Sequence, residues 1–168
     1  MMKKLLALDQ SSRITGWAVF ADGKLEKHGK FDAEAHGSTI AERLNYIRNK
    51  VRTLIEENNI TEVILEDIQM QGNVVNNVQT FKTLAEVFGV ISELLVEMKI
   101  PQSAVLASSW KSALGIKGRA RAEQKRAAQE WVVTTYGVRP TQDECDAVCI
   151  GSYRAKTKDA VEGFDWAD

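Results

Sequence analysis

Cysteine occurs only twice in this 168-residue chain, as Cys145 and Cys149. Two thiols four residues apart, with no second pair, exclude a disulfide framework and a cysteine-based zinc site. They read as small packing residues one helical turn apart, and free thiols suit a reducing, cytoplasmic setting. Proline is equally scarce: Pro101 and Pro140 fall between periodic segments, so they punctuate the chain without breaking a helix. Histidine is limited to His28 and His36, both in polar surroundings that suggest no general base. Long hydrophobic runs are missing. The N-terminus, MMKKLLALD, has four apolar residues between its lysines and Asp9, too few for a signal-peptide core or a membrane span. Internal repeats and low-complexity linkers are also missing. Charge of one sign is not in excess, because 22 basic residues meet 23 acidic ones for a formal net charge of −1. That total excludes a uniformly basic nucleic-acid coat, though not a local basic patch.

What is present fits an ordinary globular protein, with 44% hydrophobic and 27% charged residues. The length predicts one domain over residues 1–158, with 159–168 as an acidic tail containing Trp166. Leu5–Asp9, Ile14–Phe20 and Lys24–Phe31 read as three strands, the last two joined by the turn signal Ala21-Asp22-Gly23. Thr39 and Glu42 have capping-box spacing, and Ile40, Leu44, Ile47, Val51, Leu54 and Ile55 follow at helical intervals. Val63-Ile64-Leu65 reads as a buried strand closed by Glu66 and Asp67. After a polar loop, Gln69–Asn77, a helix over 78–98 places Phe81, Leu84, Ala85, Phe88, Ile91, Leu95 and Met98 on one face. Val87, Val90 and Leu94 widen that face, which is either core on both sides or core on one side and a two-fold interface on the other. Ala104–Ala107 reads as the last strand. A short helix over Ser109–Leu114, a basic helix over Arg121–Tyr136 and a final helix from Thr141 complete the chain. The order β-β-β-α-β-α-β-α-α predicts an α/β fold: a mixed five-stranded sheet, a three-stranded antiparallel meander followed by βαβ units, with helices on both faces.

Four acids stand out by position. Asp9 closes the first strand and Glu66 the fourth. Asp143 and Asp146 lie in the first turns of the last helix, whose start is set by the Thr141/Glu144 capping box, and their spacing of three puts them on one face. Each has a plain structural reading: acids at a helix N-terminus oppose the macrodipole, and an acid closing a strand is a common turn former. If strands one and four are neighbours, however, Asp9 and Glu66 emerge side by side. Carboxylates that close repel each other and shift their pKa values unless a cation joins them. Hard divalent ions with oxygen ligands, Mg²⁺ or Mn²⁺, resolve that conflict. Two such ions about 3.5–4 Å apart suit phosphodiester hydrolysis.

The segment Leu6-Ala7-Leu8-Asp9-Gln10-Ser11-Ser12-Arg13-Ile14-Thr15-Gly16-Trp17-Ala18-Val19 resembles the opening motif of the RuvC family of Holliday junction resolvases. Val63–Glu66 resembles that family's second motif, Lys111–Lys125 its basic stretch, and Asp143-Glu144-Cys145-Asp146-Ala147 its closing helix. The resemblance spans almost the whole chain and looks closest to phage-encoded members. It implies an RNase H-like fold, a homodimer, and Mg²⁺-dependent nicking of branched DNA, with Mn²⁺ able to substitute. It assigns Asp9, Glu66, Asp143 and Asp146 as catalytic metal-binding carboxylates. Bacterial members carry an aromatic residue three positions after the catalytic Glu, where this chain has Gln69 followed by Met70. That departure implies a broader taste for forks, flaps and three-way branches. Gln69 and Met70 are candidate DNA contacts there, the second as an apolar wedge.

From Lys111 to Arg126 there are six basic residues and one acid, a net +5, which leaves −6 on the rest of the chain. Beside the acidic set, Lys111, Lys117, Arg119, Arg121 and Lys125 read as phosphate contacts. Trp17, Trp110 and Trp131 read as core or near-core packing. The expected function is a structure-selective endonuclease that resolves Holliday junctions and other branched DNA. The alternatives are an RNase H-type nuclease on RNA–DNA hybrids and a noncatalytic branched-DNA binding factor.

Overall fold

A computed structural model describes residues 2–69 and 74–157, the side chains of 74–76 excepted. The acidic segment 159–168 and Met70 lie outside the described residues.

The opening meander forms as expected: β1 is Lys4–Asp9, β2 is Ile14–Ala21 and β3 is Lys24–Asp32. Asp22 and Gly23, with φ of 49° and 81°, make the β2–β3 turn, because two successive positive φ values match the twist of a tight hairpin. The chain then crosses over through α1, Ile40–Asn58, to β4, Glu62–Glu66, and through α2, Val74–Glu97, to β5, Gln102–Val105. Both added strands run parallel to their neighbours, and the sheet order is β3-β2-β1-β4-β5. The Thr39/Glu42 capping box is present and starts α1.

Because side chains alternate along a strand, β1 feeds two cores. Leu6 and Leu8 pack with Ile47, Val51, Ile91 and Leu95 of α1 and α2. Leu5 and Ala7 face the other side, which is covered by α3 (Ala107–Leu114), α4 (Arg121–Tyr136) and α5 (Gln142–Lys156). Cys145 and Cys149 are buried in that second core, where burial pushes the Cys145 thiol up to about 11 and the Cys149 thiol higher still, so both are inert packing groups as expected. Among the described residues no helix is long and apolar enough to cross a membrane.

Three expectations need correction. The helix expected over 78–98 starts earlier, at Val74, and so takes in the end of the loop expected over Gln69–Asn77; Asn76 and Asn77 read as loop formers by composition, but the helix runs through them. The last strand was expected over Ala104–Ala107, but β5 ends at Val105 and Ala107 opens α3 with Leu106 as its cap. An unbroken apolar run passes there from strand to helix, so composition does not mark the boundary. In α2 the core face is Val87, Ile91, Leu94 and Leu95, while Ala85 is exposed and Val90 only half-buried. The buried positions start at Val87, and Phe81 and Leu84, farther up the helix, line a cleft instead.

Candidate active site

The parity that splits the cores also aims the acids. Asp9 shares a face with Leu5 and Ala7, and Glu66 shares one with Ile64, so both emerge on the side covered by α3, α4 and α5. Parallel pairing of Leu8 with Leu65 brings the two strand ends together. Gln10, buried just after Asp9, fastens that junction. Its side-chain Nε2 donates to the Glu66 carbonyl at 2.6 Å, and its Oε1 accepts from the Glu66 N–H at 3.2 Å. The loop behind it is closed by hydroxyls: Ser11 Oγ donates to the Ile14 carbonyl, and fully buried Thr15 donates to the Ser11 carbonyl.

The other two acids arrive on α5, whose first turn rests on Gly16 of β2. A Cβ at Gly16 would lie 2.0 Å from the Asp143 carbonyl oxygen, so only glycine permits this contact. The acid between the two candidates turns the other way. Glu144 accepts from the Thr141 N–H at 3.2 Å and the Thr141 hydroxyl at 2.5 Å, and its other oxygen meets His28 Nδ1 on β3 at 2.8 Å. Burial pushes the Glu144 carboxyl up, but the hydrogen bonds from Thr141 and His28 outweigh it and hold it below the usual range. Glu144 thus clamps the helix to the sheet edge, leaving Asp143 and Asp146 to face inward.

All four acids line one cleft of about 1050 Å³. Burial, then the charges of Glu66, Asp146 and Asp143, push the Asp9 carboxyl well above its ordinary value, with Lys125 opposing. Burial followed by the Glu66 charge pushes Asp146 to about 7, against Lys111 and Lys125. Glu66 is raised by burial, and a hydrogen bond from Trp110 and the charge of Lys111 pull it back. Lys111, Lys117, Arg121 and Lys125 line the same cleft, as does Gln69. Two of these ammonium groups are held in place: Lys111 donates to Gln124 Oε1 at 3.1 Å and Lys125 to Gln142 Oε1 at 3.3 Å. Arg119 is exposed and lies off the cleft lining, with its backbone N–H on Glu123. Sequence reasoning missed Gln10, Gly16 as a contact, the His28–Glu144 clamp, and Trp110 as more than packing. The only local signal was a polar residue following a strand-closing acid.

The donor set fits hard divalent cations. It is all oxygen; Asp9, Glu66 and Asp146 all resist ionisation because they are buried, and Asp9 and Asp146 also because of the neighbouring acids, a cost that a bound dication removes. Among the described residues no three His, Cys, Asp or Glu side chains are already gathered tightly enough to enclose an ion.

A pH consequence follows. Asp146 holds a proton in the folded chain up to about pH 7, but in the unfolded chain only to its ordinary value of 3.8. Between those values the native state binds more protons, so the cation-free protein loses stability as pH rises through 7. The expected result is a Tm that climbs as pH falls from 8 to 5 in chelator, and a flatter profile in saturating Mg²⁺. Identical profiles with and without Mg²⁺ would refute the carboxylate site as a cation site.

The family model described as Crossover junction endodeoxyribonuclease RuvC matches residues 5–151. No curated protein sequence matches the chain significantly. Among solved structures, Thermus thermophilus RuvC in complex with a Holliday junction substrate is similar, with a TM-score of 0.70 and 17% identity over 95% of this chain and 96% of that one. The yeast mitochondrial Holliday junction resolvase has a TM-score of 0.61 and 12% identity over 96% and 81%. Fowlpox virus resolvase, with its substrate Holliday junction DNA, has 0.56 and 13% over 94% and 99%. At these identities the likeness shows the fold, and it is the expected RNase H-like one.

Proposed function

The chain belongs to the crossover junction endodeoxyribonuclease RuvC family, and on that premise we propose that it is a structure-selective endonuclease resolving four-way junctions and cutting other branched DNA. The observation that carries this reading is one cleft lined both by four carboxylates and by anchored lysines.

Asp9, Glu66, Asp143 and Asp146 would hold the divalent cations, Mg²⁺ with Mn²⁺ as a substitute. When bound, such ions turn water into a nucleophile at neutral pH and stabilise the leaving oxygen. The protein's own residues do the rest. Lys111 and Lys125, fixed by Gln124 and Gln142, are placed to receive the phosphate chain beside the acids. Exposed Lys117 and Arg121 extend that contact outward and supply the salt-dependent part of binding. Gln10 and the Glu144 clamp keep the acids in register. Gln69, at the cleft, offers amide hydrogen bonds where an aromatic wedge would select one branch geometry. Cleavage leaves 5′-phosphate and 3′-hydroxyl ends. A homodimer through the α2 face would present two such clefts to the two strands of a junction. Exposed Val78 and Val96 on α2 support that arrangement.

A fixed panel tests the reading: four-way junction, fork, flap, linear duplex and RNA–DNA hybrid, each with and without Mg²⁺. The expected result is Mg²⁺-dependent nicking of the junction and, more slowly, of fork and flap, with linear duplex intact. Preferential cutting of the hybrid would favour the RNase H-type alternative. Tight junction binding with no cleavage in either metal would favour a noncatalytic factor.

A further inference from the structure

We propose that Trp110 is a positioning residue for the cleavage site, its indole N–H fixing the Glu66 carboxylate and its ring tying that carboxylate to Lys111. The inference rests on Glu66 acting as proposed above.

Trp110 is 1% exposed, among the largest fully buried side chains of the molecule. A core filler of that size needs no polar atom, and a buried indole N–H without a partner is costly. Its donor is not directed at a backbone carbonyl. It meets Glu66 Oε2 at 2.9 Å, across 44 residues of sequence. Gln10 fixes the backbone of Glu66 from one side, but only Trp110 holds its carboxylate among the described residues. With Oε2 engaged, the carboxylate loses rotational freedom. The next residue along α3 closes the link: Lys111 Nζ stands 5.4 Å from the Trp110 ring centroid, within cation–π range, and bonds Gln124 on α4. One indole therefore supports both an acid and a base of the same cleft. Trp17 and Trp131 make no hydrogen bond of this kind among the described residues, so the arrangement is specific to position 110.

Partners behind a metal ligand set its orientation, and their loss costs about 10–100-fold in metal affinity or activity. Trp110→Phe keeps most of the ring and removes the donor. Its expected effect is a rise of about tenfold or more in the Mg²⁺ concentration for half-maximal junction cleavage. Mn²⁺ binding to the protein alone, read by calorimetry without DNA, weakens by a similar factor. Junction affinity in chelator changes less than about twofold, because the phosphate contacts remain. Trp131→Phe, the packing control, lowers Tm without moving the Mn²⁺ affinity. In a Glu66→Gln background the Trp110→Phe effect on Mn²⁺ affinity vanishes, since the two act as one unit. If Phe at 110 prevents folding, benzothienylalanine placed at 110 alone retains the bicyclic shape without the N–H and gives the same shift. Unchanged Mn²⁺ affinity in either variant overturns the inference, and so does a loss that persists undiminished in Glu66→Gln. Glu66→Gln cleaving at the wild-type rate would instead overturn the site itself, so the two failures are distinguishable.

Discussion

Asp9→Asn is expected to slow junction cleavage on the order of 10³-fold and to leave the junction bound. Asn matches Asp in size and retains a carbonyl oxygen, so the central strand and its pairing with β2 and β4 persist. What disappears is the negative charge at the most crowded point of the cleft, where Glu66, Asp143 and Asp146 all act on it. A lost ligand for a cation that supplies several kcal/mol of transition-state stabilisation costs on the order of 10³-fold in rate, or about 4 kcal/mol. Binding survives because Lys117, Arg121 and the anchored lysines come from other elements. A second signature separates this outcome from general damage. A buried carboxyl among other acids burdens the cation-free fold, so Asn in place of Asp9 raises the Tm in chelator while removing the stabilisation by Mg²⁺. Single-turnover cleavage, gel-shift affinity and Tm, measured on one preparation, check all three. Cleavage within tenfold of wild type would reject the site, and parallel loss of binding would mean that Asp9 acts through the fold.

Gly16→Ala is expected to cost both stability and activity, although it adds only one methyl group. That methyl would stand 2.0 Å from the Asp143 carbonyl oxygen and 2.4 Å from its carbonyl carbon, against backbone that has no rotamer to yield. The first turn of α5 must move, which in a packed core costs about 1–3 kcal/mol. Displacement of a catalytic group by about 1 Å costs about 10²-fold in rate, and Asp143 and Asp146 move together on this helix. Glu57→Ala, exposed on α1 and absent from the cleft lining, is the control: it leaves cleavage unchanged and moves stability by less than about 0.5 kcal/mol. A Gly16→Ala protein with wild-type Tm and rate would show that the α5 contact with β2 is not what places the two acids.

Much of this architecture was legible because it is written locally. Asp22-Gly23 marks its turn, and the Thr39/Glu42 and Thr141/Glu144 pairs mark helix starts. The positions of Asp9 and Glu66 as strand-closing acids were legible, although the unbroken apolar runs before them, Leu5–Leu8 and Val63–Leu65, do not say which face each acid takes. Neighbouring β1 and β4, posed as a condition, turns out to hold. The less legible part depends on partners far apart in sequence: Gln10 with Glu66, Trp110 with Glu66, His28 with Glu144 across 116 residues. No periodicity encodes such pairs, because each is decided by which elements the sheet order brings together. Glu144 shows the limit most sharply. It sits between two cleft acids in the sequence, yet a 100° step per residue around α5 turns it to the sheet edge. The core face of α2 was misjudged for a related reason, since the pattern shows which residues are apolar but not where along the helix the neighbour ends.

Asp9 and Asp146 stand at opposite ends of the domain's sequence, and the site has no local half that works alone. During synthesis the first three strands, both crossovers and the whole basic segment leave the ribosome before Asp143 and Asp146 do. Until α5 docks on Gly16 and His28, two of the four cleft acids and much of the core on that side of the sheet are missing. Completing the cleft and completing that core are thus one event, and a chain that ends before α5 is expected to have neither.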